Sequence, residues 1–334
     1  MIYTDRIYGS IEIDEPVLLA LLDSKAMQRL HGVLQHGVSG LIGITRATSR
    51  FEHSLGVFVL AYKLGGGLEE QIAALLHDVS HTAFSHVIDY VFGGHEKQNY
   101  HEEKKSEYIP STDIPTILEA YGYGWCDLLC LEDQEMAARF PLLEQPAPAL
   151  CADRLDYFLR DAYDLGLASL PEIERLLDHL RVRQGRIVMD DQEAALWAGK
   201  TYMQADRASW ANLREVGLYE LAARAIRRGM QVGVLTDADL WGEDRPAWDK
   251  LHASADHQLQ AILKLVSPDT NVVLDQAQPT FRISTKLRTI DPDVCTNGEV
   301  RPLSALDPEF ARLRTAYLES NSGLWPIRVI APAG

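Results

Sequence analysis

No stretch of this 334-residue chain approaches the roughly 18 consecutive apolar residues of a membrane span. No internal repeat or low-complexity segment interrupts it. The opening MIYTDRIYGSIEID lacks the basic start and apolar middle of a secretion signal, so the cytoplasm is the expected compartment and no membrane partner is expected. Cysteine is scarce. The four, Cys126, Cys130, Cys151 and Cys295, form no paired CxxC pattern, which argues against a zinc ribbon and, in a reducing compartment, against a disulfide framework. Cys126 and Cys130, at i and i+4, read as two buried thiols on an apolar helical face. Positive charge is also short: 32 Lys and Arg against 48 Asp and Glu leave a net charge of −16. That balance opposes extended nucleic acid as a partner, since such binding neutralises many phosphates with Lys and Arg. A small phosphorylated ligand stays open if basic residues gather locally.

What is present is a concentration of histidine. Six of the eleven, His53, His77, His81, His86, His95 and His101, fall within residues 53–101. His77 is followed by Asp78 at the end of the apolar helical run 71–76, placing two metal-ligand types side by side. Imidazole and carboxylate suit a divalent ion such as Mn, Fe, Mg, Co, Ni or Zn, and phosphate-ester hydrolysis needs such a Lewis acid. His53 supplies a third donor. Asp153 is the expected fourth, from a helix on which Asp153, Tyr157 and Asp161 share one face at i, i+4, i+8.

The pattern along the chain is mainly helical. RIYGSIEID reads as a hairpin around a Gly-Ser turn, and residues 14–37 as two short helices. Residues 51–92 read as helices broken at Gly65-Gly66-Gly67, 96–108 as another helix, and a further one starts near Ser111 with Asp113 beside it. The Pro-rich stretch 141–150 leads into a helix closing at Gly166. After a helix at 171–180 comes a hairpin in VRQGRIVMD, then long helix over 191–230 interrupted near Gly217. FRISTKLRTI and WPIRVI are β-like. The expected architecture is mainly α, a helical catalytic domain over 1–235 with a short N-terminal hairpin, and a smaller α+β region over 236–334 that offers a homo-oligomer interface.

Five ordered segments, QRLHGVLQHG (28–37), RFEHSLG (50–56), HDVSHTAFSH (77–86), HEEKKS (101–106) and DRLDYFLRDAYDLG (153–166), resemble the HD-domain phosphohydrolase superfamily, and within it the deoxynucleotide triphosphohydrolase branch. The resemblance implies an HD-domain helical bundle in which His53, His77, Asp78 and Asp153 hold the metal ion. It makes His81, Asp89 and His101 the neighbouring catalytic groups, with His101 protonating the leaving oxygen. Arg50 is implied to contact phosphate, and Arg154 stands where the triphosphohydrolases carry a lysine. Gln35, Tyr157 and Asp161 match positions that hold a deoxynucleotide sugar, and Trp210 falls where a tyrosine meets that sugar.

The sequence departs from the family at Ser80, Thr82 and Ala83, which interrupt the glycine-rich HDxGHGPFSH, and at Asp164, where RDAYHLG carries histidine. TYMQADRASWAN supplies no clear arginine or lysine for outer phosphates. The expected function is hydrolysis of a nucleotide, foremost a deoxynucleoside triphosphate cleaved to nucleoside and triphosphate. A nucleotidase or other phosphoesterase, an HD-type di-iron oxygenase and a nucleotide binder without turnover are the alternatives.

Overall fold

A computed structural model of the protein describes residues 1–331. It begins with the antiparallel hairpin Ile2–Asp5 and Gly9–Glu12. The turn falls at residues 6–8, ahead of the expected Gly9-Ser10 corner. The Asp5 carboxylate accepts the backbone N–H groups of Ile7 at 2.7 Å and Tyr8 at 3.0 Å, closing the loop before the glycine is reached.

Two short helices, Pro16–Leu22 and Lys25–Arg29, lead to the scaffold of the histidine cluster. The central helix, Arg50–Lys63, is capped by Ser49, whose side chain accepts the N–H of Glu52, and it is buried on nearly every side from His53 to Ala61. Leu68–Leu76 packs against it and ends at the His77-Asp78 pair. Glu70 on that helix accepts the N–H groups of Leu142 and Leu143, anchoring the Pro-rich connection that delivers the chain into Ala152–Asp164.

Val87–Phe92 and Tyr100–Tyr108 follow the His-Asp pair; the second starts four residues later than the pattern from 96 predicts. The Asp89 carboxylate takes the Tyr100 N–H at 2.9 Å and sets that start. Trp125–Leu129 turns Leu128 and Leu129 inward, which leaves Cys126 exposed rather than buried and Cys130 half-buried.

Long helix resumes at Gln192–Ala205, widens into a π turn over Asp206–Trp210, and continues as Leu213–Gln231. The break therefore lies at 206–212, and the helix runs straight through Gly217. A Cβ at Gly217 would stand 2.9 Å from Val272 Cγ1, so the glycine serves close packing of this helix on the strand Asn271–Leu274 and does not interrupt the helix.

The four-stranded sheet joins the hairpin Leu180–Arg183 and Arg186–Met189 to the hairpin Asp293–Thr296 and Glu299–Pro302, through a parallel pairing of Met189 with Val294. A three-stranded antiparallel sheet places Trp325–Ile330 between Asn271–Leu274 and Phe281–Ile283. Only Phe281–Ile283 of the run FRISTKLRTI is strand; the rest crosses the molecule as an irregular strap.

Strand is a minor part of a mainly α protein. Residues beyond 236 feed two apolar clusters. Ile290, Val294, Leu303, Phe310 and Tyr317 join the one around the Arg50–Lys63 helix, whereas Trp248, Leu251, Ile283 and Ile327 join the one around Leu213–Gln231. Among the described residues no helix is long and apolar enough to cross a membrane.

Candidate functional site

The four donors expected from spacing meet at the end of the Leu68–Leu76 helix. His53 Nε2 lies 3.0 Å from Asp153 Oδ1, 3.3 Å from His77 Nε2 and 3.7 Å from Asp78 Oδ2. His77 Nε2 stands 3.5 Å from Asp78 Oδ1 and 3.6 Å from Asp153 Oδ1.

The rings are oriented from behind. His53 Nδ1 donates to Asp156 at 2.7 Å and His77 Nδ1 donates to the Ala74 carbonyl at 2.8 Å, which turns both Nε2 lone pairs toward the same point. Two such lone pairs 3.3 Å apart repel unless a proton or a cation lies between them. His53, His77 and Asp153 converge closely enough to hold a divalent ion, and Asp78 lies beside them within 3.7 Å of His53 and 3.5 Å of His77.

Burial opposes a charged His53, but its bonds to Asp153 and Asp156 outweigh it and push the imidazolium up to about 10. Burial likewise opposes ionisation of Asp78, and Arg50, His77 and His81 overcome it, holding that carboxylate well below its usual range.

Asp156 is itself fixed by a buried network. Arg160, fully buried, donates from Nε to Asp156 at 2.8 Å, from Nη2 to Asp5 at 2.7 Å and from Nη1 to Glu52 at 3.1 Å. Gly56 makes room for it: a Cβ there would meet Asp156 Oδ1 at 1.9 Å and Arg160 Nη2 at 2.2 Å. Neither Asp156 nor Arg160 was singled out by motif, although their i, i+4 spacing is the signal that marks them. Asp164, where the family carries histidine, is likewise engaged in structure, paired with Arg6 from the N-terminal hairpin.

A second group adjoins the first through Asp78. His81 Nε2 lies 3.3 Å from Asp78 Oδ1, and the His81 and His101 rings stack at 3.7 Å with 18° between planes. Asp78, His81 and His101 could themselves hold an ion. Burial, Arg50 and His101 all disfavour charge on His81, so its imidazole is held neutral. The Nδ1 atom of His101 is buried without a partner among the described residues. Asp89 also receives His86 Nδ1 at 3.0 Å, orienting that ring beside His81 and His101.

A family model described as HD domain matches residues 50–161. A metal-dependent phosphohydrolase of Cordyceps militaris is 38% identical over 328 residues, spanning 95% of this chain and 92% of its own. The chain belongs to the HD-domain phosphohydrolases. More distantly, the deoxynucleoside triphosphate triphosphohydrolase SAMHD1 of Gallus gallus is 28% identical over 54% of this chain and 36% of its own. A crystal structure of a hypothetical protein from Aquifex aeolicus shares the fold, with a TM-score of 0.68 at 20% identity over 99% of this chain and 96% of that one. Family membership makes the protein a metal-dependent hydrolase, the reading set ahead of an oxygenase or a binder without turnover.

In this HD-domain phosphohydrolase the expected cationic residues are largely engaged. Arg50 is buried, donating from Nη1 to Asp78 at 2.5 Å and from Nε to Ser85 at 2.9 Å. Arg154 donates to the carbonyls of Ala149 at 2.6 Å and Gln145 at 3.2 Å, bracing the Pro-rich connection. Beside the His/Asp cluster lies a packed aromatic group. The Tyr157 and His53 ring centroids are 6.5 Å apart, the Tyr157 and Tyr202 hydroxyls are hydrogen-bonded at 2.5 Å, and Trp210 packs edge-on at 5.0 Å to both tyrosines. Asp161 borders it, hydrogen-bonded to His36 at 2.9 Å and accepting the Trp210 indole N–H at 2.5 Å. The π turn at 206–210 carries Trp210 to this position. Gln35 Oε1 is buried with no partner among the described residues.

Asp244, far along the chain, closes the other side. It accepts the N–H groups of Phe84 at 2.7 Å and Leu34 at 2.9 Å. Phe84 and Ser85 hold left-handed φ values of 69° and 47°, strain that this anchor and the Ser85-to-Leu34 bond at 2.6 Å offset.

Proposed function

We propose that this HD-domain phosphohydrolase acts on a nucleotide, with a deoxynucleoside triphosphate, cleaved to nucleoside and triphosphate, as the best-fitting substrate. The observation that carries the reading is the aromatic group of Tyr157, Tyr202 and Trp210 beside the His/Asp cluster, ring faces and hydroxyls of the kind that suit a sugar and base attached to the reacting phosphate. The relationship to a deoxynucleoside triphosphate triphosphohydrolase supports it.

In this reading His53, His77, Asp78 and Asp153 hold a divalent ion, which supplies Lewis acidity to a phosphoryl oxygen and acidity to a water. Asp156 and the Ala74 carbonyl keep the two imidazoles turned toward the ion. Arg50 steadies Asp78 and adds positive charge beside the reacting phosphate. The water oxygen bonds to the α-phosphorus as the bond from phosphorus to the 5′-oxygen breaks; one water proton stays on the released triphosphate and the other passes to solvent, while the departing oxygen takes up a proton. His101, whose Nδ1 has no partner among the described residues, gives that proton, and His81 stacked against it fixes the ring. Asp89 positions His86 and the first turn of the His101 helix. Gln35 and Asp161 offer oxygen acceptors to the sugar hydroxyl.

The test is to offer protein loaded with Mn, Mg, Co or Fe a panel of nucleoside mono-, di- and triphosphates and deoxy counterparts. Release of tripolyphosphate from the deoxynucleoside triphosphates supports the reading. Release of orthophosphate alone assigns a nucleotidase instead, and absence of turnover of every ester refutes the proposal.

A further inference from the structure

The strap over Ser284–Arg288 brings the C-terminal region to the mouth of the site. It lies beside residues 95–98, which precede the helix carrying His101. Ser284 Oγ donates to Glu96 and sits 3.3 Å from His95 Nε2, Lys286 Nζ donates to the Lys97 carbonyl at 3.1 Å, and Arg288 donates from Nη2 to Gln98. At its far end the Arg288 backbone N–H donates to Asp206 at 3.0 Å, and that carboxylate also accepts the Tyr317 hydroxyl at 2.7 Å. The strap thus joins the His101 wall to the π turn that carries Trp210. Gln98 holds a left-handed φ of 57° where it meets Arg288.

Two cations hang from this strap where the sequence pattern offered none for outer phosphates. We infer that Lys286 and Arg288 form a clamp for the phosphate groups of the substrate that lie beyond the one at the metal cluster. The inference rests on the proposed nucleotide reading for the identity of the ester, and on the strap for the residues.

Arg50 is held by Asp78 and Ser85 and Arg154 by backbone carbonyls; Arg288 gives one N–H to Gln98 and one to the Lys286 carbonyl at 3.2 Å, two of the five that a guanidinium carries. Lys286 gives one of its three N–H groups to a carbonyl and keeps two. It lies within electrostatic reach of Arg288 on its own strap, Arg154 and Asp153 on the Ala152–Asp164 helix, Glu144 ahead of that helix, and His86 and Asp89. Arg288 lies within electrostatic reach of Tyr157 and Tyr202. Three cations crowd one another in a protein of net charge −16. Desolvation, then Arg288 and Arg154, push the ammonium of Lys286, an exposed residue, down to about 8. A polyphosphate seated between them offsets this repulsion, which a neutral ligand cannot do.

The experiment titrates manganese-saturated inorganic tripolyphosphate, and separately orthophosphate, into the full manganese-loaded chain by calorimetry. Lys286→Met and Arg288→Met are expected to lose about ten- to a hundredfold in tripolyphosphate affinity, the scale of one charge-assisted hydrogen bond, and less in orthophosphate affinity. Lys286→Arg restores most of the loss, and Arg282→Met, on the preceding strand, binds as wild type. Wild-type affinity in Lys286→Met and Arg288→Met overturns the clamp, as does an equal loss in Arg282→Met or failure of the wild type to bind tripolyphosphate. Selective loss in the strap variants of a protein that hydrolyses no nucleotide sustains the clamp and removes the nucleotide reading. Unchanged affinity in variants of a protein that does hydrolyse deoxynucleoside triphosphates does the reverse.

Discussion

Asp156→Asn tests how much of the metal affinity is held behind the ligands. Asp156 Oδ2 accepts from His53 Nδ1 at 2.7 Å and from Arg160 Nε at 2.8 Å, and Oδ1 lies 3.1 Å from the same Nε. An asparagine has one acceptor oxygen. If that oxygen faces His53, the amide N–H₂ opposes the Arg160 donor. If the amide turns the other way, it opposes the His53 Nδ1 proton and drives the imidazole to the tautomer that points an N–H at the ion. Replacing a carboxylate behind a ligating histidine costs about ten- to a hundredfold in metal affinity, which is about 1.4–2.7 kcal/mol. Folding suffers less than for an orphaned buried charge, because Arg160 keeps Asp5 at 2.7 Å and Glu52 at 3.1 Å. A loss of about 1–3 kcal/mol is expected in place of the 3–5 kcal/mol of a fully broken buried pair. Calorimetric Mn²⁺ titration and thermal melting across a metal series separate the two effects, since ligand stabilisation scales with the logarithm of concentration over dissociation constant. An unchanged dissociation constant in a folded Asp156→Asn protein would show that Asp156 does not orient His53.

Gly56→Ala places a methyl group 1.9 Å from Asp156 Oδ1; displacement of the Asp156–Arg160 pair should cost about 1–3 kcal/mol of stability, and an unaltered melting temperature would contradict the close approach. Asp244→Asn leaves the N–H of Leu34 or Phe84 without an acceptor, at about 1–3 kcal/mol in chemical denaturation. Burial pushes the Asp244 carboxyl up to about 7 despite those two N–H donors. A folded value above the unfolded one means the folded state holds its proton more tightly, so this contribution to stability is lost as pH rises from about 4 through 7. Asp244→Asn should remove that part of the slope, and an identical pH profile would contradict it. With the Lys286 ammonium down at about 8, tripolyphosphate affinity should be full below that pH and fall as pH rises through it; Lys286→Met should be flat over the same range, and a parallel fall in both would remove Lys286 as the cause.

The helices of the first half were legible because their apolar spacing, caps and glycine breaks are local signals. The convergence of His53, His77, Asp78 and Asp153 was legible because ligand chemistry restricts which residue types can meet there. The supports behind them were not. Asp5 reaches Arg160 across 155 residues, and Asp244 reaches Phe84 across 160, contacts that no window of sequence contains. Gly217 was read as a helix break because glycine is a poor helix former, yet tertiary packing on Val272 outweighs propensity there. The Gly9-Ser10 corner was displaced by the side-chain bonds of Asp5. Lys286 and Arg288 sat inside a run that looked like one long strand, and only the crossing of the strap over residues 95–98 gives them a place beside the site.

The most direct measurement is product analysis of a deoxynucleoside triphosphate incubated with the Mn²⁺-loaded protein, followed by phosphorus NMR alongside chromatography of the nucleoside. Equal release of tripolyphosphate and nucleoside by the wild type, abolished in His77→Ala and Asp78→Ala, is the expected result. Release of pyrophosphate or orthophosphate with the nucleoside still phosphorylated would contradict cleavage at the α-phosphorus, and intact substrate would contradict action on this nucleotide class.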